Sequence, residues 1–230
     1  ASDNVAVGHI ALGANTTGAG NTAVGYQCLD ANTTAAGNTA VGNIALGANT
    51  TGASNTAVGS EALSANTTGT QSVAVGANAL DAQTTGGYNT AVGYNTLSAM
   101  TTGNNCVAVG STAGAANTTG ANLTAVGANC LDANTTGSEN TGIGSHALSV
   151  NTTGGSLTAL GYGTLIANTT ANKTSLRSAL LENRYRPPWA TDKVLTIKFN
   201  LPATKKTITP ASLFLEPEWP FILDGTTETG

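Results

Sequence analysis

The sequence predicts an all-β fold, a parallel β-solenoid (β-roll) of ten 17-residue coils followed by a small β-rich C-terminal module. A unit such as NTAVGYQCLDANTTAAG, residues 21–37, recurs every 17 residues from Val5 to Thr170 without an insertion or a deletion. Small aliphatic residues and glycines return at fixed places in each unit. A stacked solenoid requires this constant length, because one extra residue would move every later side chain out of its column.

The first half of each unit predicts a short strand and a tight corner. Asn-Thr-Ala-Val-Gly alternates polar and apolar residues, as a strand does. We expect its valines to face inward, because β-branched residues of successive coils would stack about 4.8 Å apart. The glycine that follows predicts a corner where a side chain would clash. Representative members of the two columns are Val24, Val41, Val58 and Val75, with Gly25, Gly42 and Gly59.

The second half of each unit carries a leucine column, with members such as Leu29, Leu46 and Leu63, and an alanine two residues later on the same predicted face. Asn-Thr-Thr-Gly then turns the chain back, and stacked side chains such as Asn32 and Asn49 are expected to hydrogen-bond along the column. So narrow a coil buries little apolar surface alone. This favours three parallel rods that share a core through the valine, alanine or leucine columns, with a flattened monomeric solenoid as the other arrangement.

The units NTAVG…AL…NTTG resemble the repeats of phage tail-fibre and virion-fibre proteins. They are also similar to the head repeats of trimeric autotransporter adhesins, whose units carry an AIG or AVG tripeptide. The resemblance covers residues 3–171 and implies a left-handed parallel β-roll, three chains side by side. The 17-residue period is longer than the usual adhesin unit, so handedness and trimerisation are implications of the resemblance alone.

Two further segments follow the repeat rod of residues 1–171. Residues 172–189 predict a short helix and a junction, because Pro187-Pro188 must end a helix. Residues 190–230 contain alternating stretches such as KVLTIKFNL and predict the small β-rich module. The junction holds a basic and aromatic cluster, interpreted either as a contact for an acidic partner or as an ordinary junction anchored by a buried Trp. The cluster consists of Arg184, Tyr185, Arg186 and Trp189.

Charge divides the chain and excludes some partners. No Lys or Arg precedes Lys173, whereas six acidic residues do, and this gives the repeat region a formal charge of −6. A nucleic-acid binder would carry a basic stripe along its rod, so we expect no nucleic-acid partner. No apolar run approaches the length of a membrane span, and we expect no membrane insertion.

The repeats suggest no catalytic or metal centre. Cys28, Cys106 and Cys130 are expected to be small buried hydrophobes, and the first and last of them lie six coils, about 29 Å, apart, too far for a disulfide. The histidines His9 and His146 are eight coils apart, so we expect no metal site. We likewise expect no cofactor and no enzymatic activity. The column containing Asp30, Asp81 and Asp132 is interpreted as solvated turn residues rather than calcium ligands, because these residues are three coils apart.

The sequence therefore predicts a non-enzymatic structural or adhesive fibre subunit, a homotrimer that is extracellular, on a cell surface or on a virion. A cell-surface receptor or glycan is a candidate partner. The alternative is a filament subunit that polymerises head to tail through its C-terminal strands, since the first coil has no evident cap and a bare sheet edge recruits strands. A lesser alternative is a carbohydrate- or ice-binding module based on the Thr and Asn columns. The Asn-X-Thr sequences also match glycosylation sequons.

Overall fold

The computed structural model of the chain describes residues 1–166 and 168–169. These residues belong to the first of the two compact units into which the chain divides, Ala1–Glu182 and Asn183–Gly230. They confirm the solenoid, because ten strands, one per coil, form a single parallel sheet in which each strand pairs with the next. The strands are β1 (Val5–Val7), β2 (Thr22–Val24), β3 (Thr39–Val41), β4 (Thr56–Val58), β5 (Val73–Val75), β6 (Thr90–Val92), β7 (Val107–Val109), β8 (Thr124–Val126), β9 (Thr141–Ile143) and β10 (Thr158–Leu160).

Successive strands pair in a register of one repeat. Thr22 lies opposite Thr39, and Val24 lies opposite Val41. We number the coils 1 to 10 and begin each at the residue before its strand, so that coil 1 begins at Asn4 and coil 2 at Asn21. Nine complete coils and most of the tenth are described. The described residues contain no helix. They therefore include no helix with the length and apolar character that a membrane crossing requires.

The strand alanine, not the valine, fills the interior. Ala40 and Ala57 are fully buried, whereas Val58 and Val75 are each 37% exposed. In a three-residue strand only the middle side chain points inward, and leucines from the other side of the coil leave room for little more than a methyl group. The prediction that the valine column faces inward is therefore wrong, although the valines do form a continuous column.

The leucine column is buried as predicted, but it does not lie on a strand. Leu29, Leu46 and Leu63 are fully buried, and each adopts a φ of 52°. The second half of the coil is a series of turns, so the leucine reaches the core from a left-handed backbone that costs about 1–2 kcal/mol per residue. Because the chain bends there, the alanines two residues later, such as Ala31 and Ala48, are only half-buried. The prediction that they share the inner face is wrong.

The predicted glycine corner is confirmed. Gly59 has a φ of 140°, and a Cβ on it would lie 2.5 Å from the carbonyl oxygen of Gly76 in the next coil. Gly25 and Gly42 have φ values of 142° and 143°. Only glycine fits this column, because the backbones of adjacent coils approach too closely for a side chain.

Several predictions fall beyond residue 169 and lie outside the described residues. They are the boundary at 171/172, the helix and junction of 172–189 with Arg184, Tyr185, Arg186 and Trp189, and the module of 190–230.

Candidate functional site

The asparagine before the Thr-Thr pair forms a hydrogen-bonded ladder, as the sequence predicts. The Nδ2 atom of Asn49 donates to Oδ1 of Asn32 at 3.2 Å, and Nδ2 of Asn66 donates to Oδ1 of Asn49 at 3.0 Å. Asn49 also donates to the carbonyl oxygen of Gly52 in its own coil at 2.9 Å. All these asparagines are fully buried, so the amides satisfy one another without water. We call this column the corner Asn ladder; its described members are Asn15, Asn32, Asn49, Asn66, Gln83, Met100, Asn117, Asn134, Asn151 and Asn168.

A second buried amide column, which the sequence analysis missed, lies at the first position of the coil, where six of the ten coils have Asn. The side-chain oxygen of Asn21 accepts the backbone N–H of Asn38 at 2.9 Å, and Nδ2 of Asn38 donates to the Gly52 carbonyl at 2.9 Å. Asn38 and Asn49 thus reach the same carbonyl from opposite ends of the coil and brace its interior. The recurrence of Asn at the start of the unit was the available signal, but it was interpreted as the polar half of a strand alternation.

The ladder decides how the sequons should be interpreted in the folded coil. Asn32, Asn49 and Asn66 are fully buried, and their Nδ2 atoms already donate hydrogen bonds. A transferase needs that nitrogen at the surface, so these sequons are not acceptors once the coil has folded. Asn122 differs, because this sequon asparagine is exposed.

The two threonines of each pair have different environments. The first donates along the rod; for example, Oγ1 of Thr33 bonds to the Thr50 carbonyl at 3.2 Å, and Oγ1 of Thr50 bonds to the Thr67 carbonyl at 3.0 Å. The second, such as Thr51 or Thr68, is exposed. The paired threonines therefore supply one structural column and one surface column rather than a two-column hydroxyl plane.

The outward side of the sheet forms an uncharged surface, which we call the strand face. It consists of the first and third residues of β1–β10, which are Thr or Val in the first place and Val, Ile or Leu in the third. The third-place residues form an unbroken aliphatic column about 43 Å long for nine steps of about 4.8 Å. Its members include half-buried residues such as Val24 and Val41 and exposed ones such as Val58 and Val75. The sequence signal for this face was the small alanine that recurs between two larger residues in the strands.

Four of the six acidic residues of the repeat region lie on turns of the coil, whereas Asp3 and Glu139 lie two residues before β1 and β9. Glu61 and Asp81 lie on turns that follow the glycine corner, and the residues described here include no Lys or Arg. No group of three or more His, Cys, Asp or Glu side chains in the described part of the chain could hold a metal ion. One oxygen each of Asp81 and Asp132 is buried without a hydrogen-bond partner.

Replacing Asp81 by Ser, the residue at this place in the coils before and after, is expected to stabilise the solenoid at neutral pH. Burial, followed by the negative charge of Glu61, raises the pKa of Asp81 above its ordinary value. A raised pKa in the folded state favours folding at low pH, and this contribution is lost as the pH rises through that pKa. The gain in D81S should therefore shrink on acidification, as measured by denaturant unfolding across pH. D30S is the control from the same column, and an equal pH dependence in both variants would contradict the expectation.

The three cysteine thiols are expected to be unreactive in the folded protein. Burial raises the pKa of Cys28 and of Cys130 to about 11 and also raises that of Cys106. All three side chains are fully buried, and Sγ of Cys28 donates to the Ala40 carbonyl at 3.1 Å. Because the thiolate is the reactive form, a thiol reagent should label the native protein only after denaturant is added. A cysteine placed at exposed Ser2 should react at once, whereas rapid labelling of the native thiols would contradict the buried columns.

Comparison with known proteins gives no relative. No protein-family model, no curated protein and no solved structure matches this chain. The geometry of the solenoid and its surfaces is therefore the basis for any assignment of function.

Proposed function

We propose that the protein is a non-enzymatic structural or adhesive fibre subunit that assembles as a homotrimer through its strand faces. The observation that carries the proposal is the unbroken aliphatic column on an exposed, uncharged sheet face. Val58, Val75 and Val109 are each between 37% and 38% exposed, and Val24 and Val41 are half-buried. The line of valines is therefore incompletely covered in the single chain.

The narrow interior supports the same proposal. Alanine, leucine and two asparagine columns fill each coil, so the fold buries few large side chains. Small cores give marginal stability, and packing strand faces together would add the buried area that one coil lacks. Parallel association places an aliphatic side chain against its equivalent at every level, and the acidic side chains on the turns lie outside the contact.

The resemblance to phage and virion fibres and to trimeric adhesin heads agrees with this arrangement. The proposal therefore includes a location outside the cell, on a cell surface or on a virion, and a cell-surface receptor or glycan as the ligand. Metal or cofactor chemistry has no part in the proposal. In the head-to-tail alternative the molecules join end to end, and the strand face could remain exposed.

Light scattering of the full chain tests the assembly. We expect the mass of three chains, and we expect the double variant V58E/V75E to give single chains that keep the circular dichroism of the solenoid. The control T68E/T85E adds the same charges to the exposed threonine column of the same two coils and should leave the trimer intact. A monomeric native protein, or a V58E/V75E trimer, would overturn the proposal. Long filaments in electron micrographs would support the head-to-tail alternative instead.

A further inference from the structure

Each coil is held mainly by its neighbours. Backbone hydrogen bonds run from coil to coil around the whole circumference. Examples are the bond from Gly59 N to the Val41 carbonyl at 2.8 Å, that from Leu46 N to the Ala62 carbonyl at 3.0 Å, and that from Thr50 N to the Thr67 carbonyl at 3.0 Å. The side-chain ladders follow the same direction. Every strand pairs only with the strands of adjacent coils.

The bonds within a coil are few, and its backbone is strained. Asn49 N donates to the Leu46 carbonyl at 3.1 Å, and Gly47 N donates to the Ile44 carbonyl at 3.1 Å. Both acceptor residues are non-glycine residues with positive φ, 52° for Leu46 and 57° for Ile44. An end coil has one neighbour, so it loses most of what fixes its conformation when it is pulled away from that neighbour.

We propose that the solenoid is a stepwise extensible tether, which releases one coil at a time when it is pulled along its axis. The strands run across the axis, so axial tension peels a terminal coil bond by bond instead of loading all the bonds of a junction together. This proposal builds on the structural role proposed above and adds a mechanical property to it. A load-bearing fibre with such a tether would yield gradually instead of breaking.

The repeat length fixes the size of each step. Seventeen residues span about 58 Å at about 3.4 Å per extended residue, whereas a folded coil contributes only about 4.8 Å to the rod. Each released coil should therefore lengthen the chain by about 53 Å. All coils have the same length, so the steps should be equal.

The structure also indicates where the tether is weakest. Met100 interrupts the corner Asn ladder in coil 6, and Cys106 and Leu123 interrupt the other buried amide column in coils 7 and 8. Gly114, also in coil 7, lacks the leucine side chain of its column. The junctions around coils 6–8 lack ladder bonds and apolar contacts that coils 2–4 have, so release should require the lowest force when peeling from an end reaches these coils.

Single-molecule stretching of the full chain tests the proposal. Handles are attached through cysteines introduced by S2C and T169C, both at exposed positions, while the native thiols are buried. We expect repeated extensions of about 53 Å, or small multiples of it. One extension of the whole described solenoid in a single event would overturn the tether.

Two variants test the role of the ladder. M100N restores the missing amide and should raise the release force of the weakest steps while leaving their length unchanged. T102N introduces the same residue, Asn, at an exposed position of the same coil. It should change neither the release force nor the step length. If the release forces of M100N equalled those of the parent protein, the inference that coil 6 is a weak point would be wrong. Light scattering of the same samples separates the two proposals, because equal steps from monomeric rods would retain the tether and overturn only the trimer.

Discussion

G59A is expected to lower the free energy of unfolding by about 2–6 kcal/mol. The substitution adds one methyl group where φ is 140° and where a Cβ would lie 2.5 Å from the carbonyl oxygen and 2.6 Å from the carbonyl carbon of Gly76. Backbone strain contributes about 1–3 kcal/mol, and forcing the coils apart contributes about 1–3 kcal/mol. Denaturant unfolding followed by circular dichroism measures the loss.

The control for this change is G37N. Gly37 also has a positive φ, 70°, but a Cβ on it would meet only Oγ of Ser54 at 3.7 Å. Asn105 and Asn122 occupy the same column with φ values of 57°. G37N should therefore stay within about 0.5 kcal/mol of the parent protein. If the two variants lost equal stability, close approach of the coils would not be the reason for the glycine corner.

N49D is expected to have the second large effect, a loss of about 3–5 kcal/mol, comparable to the cost of leaving a buried charge uncompensated. The change keeps the shape of the side chain but replaces the Nδ2 donor by an oxygen. That oxygen would face Oδ1 of Asn32 and the Gly52 carbonyl, which now accept at 3.2 Å and 2.9 Å. Thermal and denaturant unfolding measure the loss, and acidification should recover part of it, because protonation removes the charge and restores one donor.

N49M is the matched control, since Met100 already occupies the ladder in coil 6. The apolar side chain removes hydrogen bonds but adds no charge, and the Gly52 carbonyl still accepts from Asn38 at 2.9 Å. Three side-chain hydrogen bonds are lost, so we expect N49M to cost about 2–3 kcal/mol, less than N49D. A loss in N49M as large as that in N49D would show that the ladder depends on amide geometry more than on charge.

Periodicity predicted the architecture because stacking imposes it on every coil. The 17-residue period fixed the number of coils, the parallel sheet and the register, since any other pairing would misalign the columns. The glycine corner and the corner Asn ladder also follow from the residue that recurs at one place in the repeat. Only glycine fits a φ near 140° against the backbone of the next coil, and few residue types fit a buried amide ladder.

The orientation of each column could not be derived in the same way. A Thr-Ala-Val strand fits either face, and the decision depends on how much space the rest of the coil leaves. Leu46 fills that space from a left-handed backbone, a conformation that leucine disfavours and that local preference does not predict. The strand face was missed for this reason, since it became visible only once Ala40 and Ala57 had taken the inner positions.

The absence of Lys and Arg before Lys173 has a practical consequence for protease assays. Trypsin selects a basic side chain with the Asp of its specificity pocket, so residues 1–172 offer it no cleavage site, folded or unfolded. Survival of this region in trypsin therefore says nothing about whether the coils are intact. An enzyme that cuts after leucine is needed, with cleavage scored at column leucines such as Leu29, Leu46 and Leu63, because these are buried in the native coil and become accessible only when it opens.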